Sequence, residues 1–530
     1  MVRVVLEEVA MPLPDGTRLA TEVAVADDGA PHPVLLVRTP YGRDFARGLH
    51  DPVALAREGW AVVLQDVRGR WGSEGAFAAF AQEGPDGAAA VEWCARQPWS
   101  NGRVATAGAS YQGWTQWAAA VERPRGLCAI SPAIVAPALG EGWFRQGGAF
   151  RVGAWTLWAL GIASAGTGGS RASERRAGKA LAEWLELVRH PTNVDAVAIA
   201  MPQFRDWLSP ESELNAQPRG RLARVAVPGF HVGGWYDIFC EGTIAGYTAL
   251  RRARSEAVRR AQRLVVGPWG HVAQYGQITG EVDFGPDANA AARGLLQEQL
   301  RFLRDAADGN EPQGGVSVFV MGRNRWLDLE TWPPPAREVP LHLAADGASN
   351  GLHGGGRLQW SAPERSGEDR YRHDPADPVP TRGGRHLHVG LPPFGPLDQR
   401  QLGGRSDVLV YTSEPLGGDL AVVGLVRARL RFASTAARAD VAVKLVDVHP
   451  DGRALNVVDS IRRVELVPGV PQQVDLDVGS TAMTFARGHR IRIEVASSNW
   501  PQFDLVEAAE QTLHWGGRSG SRLLLPVYEG

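Results

Sequence analysis

The stretch RVATAGASYQGWTQWAAA (residues 103–120) places a serine between a strand and a helix. Residues 104–107 form a short β-prone run, and the Trp- and Ala-rich segment after Gly113 has a helical composition. Ser110 is therefore predicted at the tip of a strand, among glycines and just before a helix. Two interpretations fit this position: a serine that caps the helix, or a nucleophile held on a sharp strand-to-helix turn.

The segments around Ser110 alternate between strands and helices. The continuous apolar runs PVLLVRTPYG (33–42), WAVVLQDVRG (60–69) and LCAISPAIV (127–135) are typical of strands that are buried on both faces. Residues 84–98 have a helical composition that ends at Pro98. This alternation, with short connections, predicts a parallel α/β sheet with right-handed crossovers.

The alternation is interrupted after Pro137 and returns near residue 221. The intervening segment contains an amphipathic pattern that predicts a helix over 173–190. Buried-strand patterns return at 223–237 and 263–271, and a long helix is predicted over about 288–308. We therefore expect a discontinuous α/β catalytic domain of residues 1–137 and 221–330, with a helical cap inserted over 138–220.

The sequence changes character after TWPPP (331–335). Short alternating strands are separated there by Gly, Pro and Asp turns, a spacing that predicts an all-β sandwich of the jelly-roll type. We expect this jelly-roll domain to span residues 331–530. At about 100–200 residues per domain, a chain of 530 residues has room for these units.

Composition excludes several classes of function. The formal net charge of −2 gives no basic field for nucleic acid or an anionic membrane, and no apolar run approaches the length of a membrane span. Three scattered cysteines are too few for a disulfide framework or a zinc site. We expect a cytoplasmic protein without a cofactor or metal, and the sequence leaves homo-oligomerisation open.

Chain order tests the nucleophile interpretation. In serine hydrolases built on a parallel sheet, the acid and then the histidine follow the serine, each after a strand. Asp237 in GGWYDIF and His271 in VVGPWGH meet both conditions. The rival histidine, His231, precedes Asp237 inside a predicted buried strand, and the rival acid, Glu241, falls at or inside the following helix.

The predicted turn departs from the common pattern G-x-S-x-G. Gln112 stands where that pattern has its second glycine, and Gly113 follows one residue later. The backbone N–H of Tyr111 is the expected first donor to an oxyanion. The loop RTPYGR (38–43) offers no glycine run as the second donor, so the phenol of Tyr41 is a candidate, the alternative being a turn aromatic ahead of Gly42.

Six stretches carry a family resemblance: RTPYGR, QDVRGRWGSEG (65–75), GASYQG (108–113), GGWYDIF, VVGPWGH and HDPADPVPTRGG (373–384). With these motifs in this order, the chain resembles the X-Pro dipeptidyl-peptidase and cocaine-esterase-like family of serine hydrolases. The resemblance implies an α/β-hydrolase core with an inserted helical cap and a C-terminal jelly roll. It also implies a catalytic triad of Ser110, Asp237 and His271, with Tyr41 and Tyr111 forming the oxyanion hole.

Members of this family differ in substrate, and the residues after Asp237 are apolar. We expect an aromatic acyl pocket, with the candidate substrate-binding residues Trp143, Trp155, Trp158 and Phe239. The tryptophans could equally be core residues. A small-molecule carboxylic ester is the favoured substrate. Glu141 and Glu241 are acids of the kind that holds a free α-amino group, so an X-Pro dipeptidyl-peptidase or an α-amino-acid ester or amide acylase is the alternative enzyme. A non-catalytic binding protein is the alternative from another class of function.

Three further sequence patterns resemble functional motifs, but we assign none of them a catalytic or binding role. HGGG (353–356) resembles a lipase oxyanion motif but lies in the β region, where a hairpin loop is the simpler interpretation. His386 and His388 alternate on a predicted strand and lack a third metal ligand. GTGGSRASERRAGKA (166–180) lacks the ending of a phosphate-binding loop and is interpreted as a flexible entry to the cap helix.

Overall fold

The computed structural model describes residues 2–165, 179, 182, 201, 203–212, 221–253, 255–271, 276–387, 393–517 and 519–530. Two large sheets organise them. The strands up to residue 329 are, in chain order, β1 (Val4–Pro12), β2 (Arg18–Ala26), β3 (His32–Thr39), β4 (Ala61–Asp66), β5 (Ser100–Ala109), β6 (Leu127–Ala133), β7 (Arg145–Gln146), β8 (Ala149–Phe150), β9 (Gly229–Gly234), β10 (Gln262–Gly267), β11 (Ile278–Thr279), β12 (Val282–Asp283), β13 (Gly315–Val320) and β14 (Arg325–Leu329).

Ten of these strands form the N-terminal sheet, in the order β1-β2-β4-β3-β5-β6-β9-β10-β13-β14. The strands from β4 to β13 in this order run parallel, whereas β1, β2 and β14 join as antiparallel edges. Strands β3 and β4 are buried along their whole length, as their continuous apolar runs predict. The mixed sheet and its parallel centre confirm the expected α/β-hydrolase core.

The described helices are α1 (Arg43–Leu49), α2 (Pro52–Arg57), α3 (Glu83–Ala95), α4 (Tyr111–Glu122), α5 (Val152–Ser164), α6 (Phe204–Leu208), α7 (Cys240–Leu250), α8 (Glu256–Arg260) and α9 (Leu295–Ala307). The helix predicted from about residue 288 begins only at Leu295. The side chain of Asn289 accepts from the N–H groups of Ala291 and Ala292 and closes a turn there. Gly294 then takes a left-handed conformation (φ 75°), which ends that turn and starts α9.

The inserted segment is described only in part. Helices α5 and α6 and the small β7–β8 hairpin lie within residues 138–220. The predicted amphipathic helix over 173–190 and the glycine-rich stretch 166–180 fall almost wholly outside the described residues, so both stay predictions. No described helix combines the length and apolar character that a membrane span requires.

The C-terminal sheet contains the strands β15 (Arg337–Ala345), β16 (Gly356–Gln359), β17 (Ser366–His373), β18 (Leu409–Ser413), β19 (Leu420–Ser434), β20 (Arg438–Val448), β21 (Ala454–Glu465), β22 (Gln472–Phe485), β23 (Arg490–Ala496), β24 (Ala509–Gly516) and β25 (Arg522–Val527). Their order is β17-β24-β19-β25-β15-β16-β18-β23-β20-β21, and β22 pairs with β19. This confirms an all-β C-terminal region. Residues 353–355 of the HGGG stretch lie in the hairpin loop between the antiparallel strands β15 and β16, and Gly356 begins β16.

The two sheets share one hydrophobic cluster. Trp235, Tyr236 and Tyr247 from the N-terminal part pack in the same buried cluster as strands β19 to β23. The backbone also joins them: the N–H of Met321 donates to the carbonyl of Ala482 at 2.9 Å. The C-terminal sheet is therefore packed into the side of the α/β core and not attached through a linker alone.

Candidate active site

Ser110 occupies the strained turn between β5 and α4. Its φ of 57° and ψ of −123° lie in a region that residues other than glycine rarely adopt. Its side chain makes no capping hydrogen bond to the described helix α4. The main chain is fixed on both sides, because the Ser110 N–H donates to Ala133 and its carbonyl accepts from Trp114. The geometry is that of a nucleophile elbow and not of a helix cap.

The unusual spacing of the glycines follows from packing around the turn. A Cβ on Gly113 would lie 2.7 Å from the Cγ1 of Val135, so the first turn of α4 has room only for glycine there. Gly108 has a φ of 136°, and a Cβ on it would meet the side chain of Gln112 at 2.5 Å. Gln112 can therefore stand at the position where lipases have glycine, because the helix approaches Val135 closely at Gly113, one residue later.

The structure brings the three predicted triad residues together. The His271 Nδ1 lies 2.7 Å from the Asp237 Oδ2, and the His271 Nε2 lies 3.0 Å from the Ser110 Oγ. Asp237 is fully buried, and its other oxygen, Oδ1, accepts from the N–H of Phe239 at 2.7 Å. With an ionised Asp237, Nδ1 carries the proton and Nε2 is free to accept from the serine hydroxyl.

Hydrogen bonds between two loops fix the position of Asp237 relative to His271. The N–H of Trp235 donates to Gly267 at 2.8 Å, and the N–H of Tyr236 donates to Trp269 at 2.9 Å. A Cβ on Gly234 would lie 2.2 Å from the Trp269 carbonyl oxygen, so that glycine permits the close approach. The motifs GGWYDIF and VVGPWGH therefore form one locked pair of loops at the ends of β9 and β10.

Tyr41 lies beside the serine on a loop that other side chains hold in place. The Arg70 Nε and the Trp71 Nε1 both donate to the Pro40 carbonyl, at 3.1 and 2.9 Å. The Tyr41 hydroxyl oxygen accepts from the Trp158 Nε1 at 3.0 Å. Burial raises the pKa of the Tyr41 phenol, against the opposing effect of hydrogen bonds with Trp158 and Ser110. Tyr41 therefore keeps its proton and can donate it in a hydrogen bond.

The side chain of Tyr111 is anchored away from the reaction centre. Its hydroxyl donates to the Glu83 Oε1 at 2.9 Å and accepts from the Phe80 N–H at 2.8 Å. Burial raises the pKa of Glu83, although Arg38 lies 3.0 Å away and opposes the rise. These contacts fix Tyr111, the residue after the serine, whose backbone N–H is the expected first donor to an oxyanion.

Sequence reasoning missed the supporting pair Arg38 and Glu83. One signal was available: Arg38 falls inside an otherwise apolar strand, and a buried guanidinium requires a partner. The identity of that partner was not readable from the sequence, since Glu83 looks like any acidic residue in a first helical turn.

The four predicted substrate-binding residues belong to one aromatic cluster, but they lie at different depths. The Phe239 ring lies 5.4 Å from the His271 ring and 4.4 Å from the Trp143 ring, measured between centroids. Trp155 packs behind Trp143 at 5.6 Å and donates to its carbonyl. Trp158 is half-buried and contacts Tyr41 directly. Phe239 and Trp158 thus lie next to the candidate catalytic residues His271 and Tyr41, whereas Trp143 and Trp155 lie behind them.

Glu141 and Glu241 line a common cleft of about 640 Å³. Both carboxylates are already engaged: Glu141 accepts from the N–H groups of Gly147 and Gly148, and Glu241 pairs with Arg385 at 2.8 Å. Glu241 lies in the first turn of α7, as expected for the rival acid.

His231, the rival histidine, does not reach the site. It is buried in the core, where its Nε2 lies 3.1 Å from the Gln262 Oε1 and its ring stacks on Trp117 at 5.7 Å. His386 is buried in the C-terminal part, and His388 lies outside the described residues.

Comparisons with known proteins cover almost the whole chain. The model of the X-Pro dipeptidyl-peptidase (S15) family matches residues 15–273. The model of the X-Pro dipeptidyl-peptidase C-terminal non-catalytic domain matches residues 309–516. The cocaine esterase of Rhodococcus sp. (strain MB1 Bresler) is 34% identical over 579 aligned positions, covering 99% of this chain and 98% of that protein.

Two solved structures share the fold. An aminopeptidase from the marine sediment archaeon Thaumarchaeota archaeon aligns with a TM-score of 0.79 at 24% identity, covering 99% of this chain and 96% of its own. An α-amino acid ester hydrolase aligns with a TM-score of 0.77 at 24% identity, covering 99% and 97%. At this level of identity the likeness concerns the architecture.

Proposed function

Because the chain belongs to the X-Pro dipeptidyl-peptidase and cocaine-esterase-like family of serine hydrolases, we propose that it cleaves small-molecule carboxylic esters through an acyl-enzyme on Ser110. It is an enzyme of the ester-hydrolysing serine class, which removes the alternative of a non-catalytic binding protein. The observation that supports the residue assignment is the continuous hydrogen-bonded chain from Asp237 through His271 to Ser110.

Acylation begins with the proton of Ser110. His271 accepts this proton at Nε2 while the Ser110 Oγ attacks the ester carbonyl carbon. The buried Asp237 keeps the other nitrogen protonated and stabilises the imidazolium that forms. His271 then gives its proton to the leaving alcohol as the carbon–oxygen bond breaks.

The tetrahedral intermediate carries a negative oxygen that requires donors. In this proposal the backbone N–H of Tyr111 and the hydroxyl of Tyr41 supply them. The Trp158 Nε1–H donates to the Tyr41 oxygen, which polarises that hydroxyl and makes it a better donor. Water then repeats the sequence on the acyl-enzyme: His271 takes a proton from water, the acid is released, and Ser110 regains its proton.

The acyl pocket is proposed to lie against Phe239 and Trp158. Both touch catalytic residues, and the Trp143 and Trp155 rings support them from behind. An apolar acyl group suits such a lining, since burying aromatic surface is favourable.

The second candidate is the same chemistry on a substrate with a free α-amino group, as in an X-Pro dipeptidyl-peptidase or an α-amino-acid ester or amide acylase. The observation that favours it is the presence of Glu141 and Glu241 in one cleft beside Ile238, the residue after Asp237. Against it, both carboxylates already have donors from this chain. We therefore propose the amine-free ester first.

A labelling experiment tests the nucleophile. The wild-type protein should react with a fluorophosphonate probe, and Ser110→Ala should abolish the reaction. Ser255→Ala is a matched control, because Ser255 caps α8 and has no part in the proposed site. Labelling that persists in Ser110→Ala would refute the assignment.

Paired substrates distinguish the two candidates. Rates are compared for p-nitrophenyl butyrate, its 2-amino derivative and alanyl-prolyl-p-nitroanilide. We expect the amine-free ester to have the highest kcat/KM. If either amine-bearing substrate had a kcat/KM about tenfold or more higher, the second candidate would be the correct function.

The cytoplasmic location stays a prediction.

A further inference from the structure

Three side chains suited to metal binding lie together where β20 ends and β23 begins, although the sequence predicted no metal. One ligand atom each from Asp447, His449 and His489 falls within 4.8 Å of the other two. The His489 Nδ1 lies 2.9 Å from the Asp447 Oδ1, and the His449 Nε2 lies 3.4 Å from the Asp447 Oδ2. The two imidazole rings are 4.4 Å apart between centroids.

The strand register explains why they converge. Strands β20 and β23 are antiparallel neighbours in which Asp447 faces Ile491 and Val448 faces Arg490. One further step in this register places His449 opposite His489. Because side chains alternate between the faces of a strand, Asp447 and His449 point to the same face.

The backbone around the cluster is fixed on both sides. His449 opens the turn between β20 and β21, where its N–H donates to the Arg453 carbonyl and its carbonyl accepts from Gly452. His489 is held by bonds to Ala486 and Leu416. A binding site built on such positions is largely preformed, so little ordering is needed when an ion enters.

The separations suit a small divalent ion. With bonds of about 2.0–2.1 Å in tetrahedral geometry, two ligand atoms lie about 3.3 Å apart. The Asp447 Oδ2 lies 3.0 Å from the His489 Nδ1 and 3.4 Å from the His449 Nε2, both close to that value. Asp447 is buried, and the two histidine side chains are 22% and 16% exposed, which leaves an entry path. The neighbouring cation Arg453 is paired with Asp451.

We propose that Asp447, His449 and His489 form a binding site for a divalent transition-metal ion of the zinc type, with water completing the coordination. Two imidazoles and one carboxylate are ligands that such ions take in proteins. The ion would join the β20–β21 turn to the start of β23.

Metal binding by the full-length chain tests this site directly and independently of ester hydrolysis. The protein is freed of metal with a chelator, and Zn²⁺ is titrated in the presence of a chromogenic zinc indicator. We expect one high-affinity equivalent per chain and a higher Tm in the presence of Zn²⁺. Co²⁺ in place of Zn²⁺ should give the visible absorption of a nitrogen-ligated ion of low coordination number.

Three variants locate the binding. His449→Gln and His489→Gln should each weaken Zn²⁺ binding by at least about tenfold and remove the Tm increase, since loss even of a supporting group has that effect. His353→Gln, in the exposed hairpin loop, is the matched control and should bind as wild type does. The proposal would be overturned if the wild-type protein did not bind Zn²⁺. It would also be overturned if both His449→Gln and His489→Gln bound Zn²⁺ as tightly as the wild type does. The wild-type titration and Co²⁺ spectrum decide the matter even if a variant folds poorly.

Discussion

The substitution Tyr41→Phe isolates one hydroxyl in the proposed oxyanion hole. It keeps the ring and its packing against Phe45 and Tyr111, and it removes only the oxygen that accepts from Trp158 at 3.0 Å. The backbone N–H of Tyr111 remains, so the hole loses one of two donors. Loss of a single oxyanion donor lowers kcat by about 10²–10³-fold, or about 2.7–4 kcal/mol.

The same change has a separate effect on stability. It leaves the indole N–H of the half-buried Trp158 without its acceptor. A fully buried unpaired donor lowers the free energy of unfolding by about 1–3 kcal/mol, so we expect a loss at the lower end of that range. Tyr371→Phe is the matched control, because it removes a buried phenol oxygen 2.8 Å from the Ser497 Oγ in the C-terminal sheet. That variant should lose stability with an unchanged kcat.

The assay measures kcat and KM on an aryl ester, with active sites counted by fluorophosphonate labelling and Tm recorded for each variant. We expect the rate loss of Tyr41→Phe in kcat, with KM changed little, because the oxyanion exists only in the transition state and intermediate. A kcat within about threefold of wild type would refute the role of Tyr41. An equal loss in Tyr371→Phe would assign the effect to stability.

The remaining predictions concern the acid, the elbow and the core. Asp237→Asn should lower kcat on the same ester by about 10⁴-fold, because the amide favours the wrong imidazole tautomer. Gly113→Ala should lower the free energy of unfolding in urea by about 1–3 kcal/mol through the clash with Val135. Gly48→Ala is the matched control in α1, because no described atom lies within 4 Å of a Cβ placed there, and it should raise the free energy of unfolding by about 0.5–1 kcal/mol. Equal effects of the two substitutions would contradict the packing argument. Burial lowers the pKa of His231 from 6.5 to about 4, so the unfolded chain binds a proton there at a higher pH than the folded chain does. Stability should therefore fall by about 3 kcal/mol from this residue as the pH drops from 6.5 to 4. His231→Phe should show a smaller Tm difference than wild type between neutral and acidic pH, and an unchanged difference would contradict this.

The meeting of the three proposed triad residues was predictable because the fold constrains where parallel strands end. Once Ser110, Asp237 and His271 were each assigned to the end of a strand in one sheet, their meeting followed, since such ends share an edge. The turn itself was predictable from small residues around Ser110, although the reason for glycine at 113 is its contact with Val135, which no local pattern contains.

The contacts that support the site were not predictable in the same way. Glu83 reaches Arg38 and Tyr111 across three separate elements, and Glu241 meets Arg385 from the loop between β17 and β18. Such pairs depend on tertiary packing, and a single sequence marks neither partner. The start of α9 was misplaced for a local reason, since the turn at Asn289 was hidden within a helical composition.

The hydrophobic cluster shared by the two sheets has a consequence for biosynthesis. Trp235 and Tyr247 leave the ribosome long before Val443 and Ile493, against which the same cluster is built. A nascent chain that has completed only its α/β half presents an apolar flank with no cover. We expect this half to depend on chaperones until translation ends, so that a prematurely terminated chain aggregates rather than becoming a smaller working enzyme.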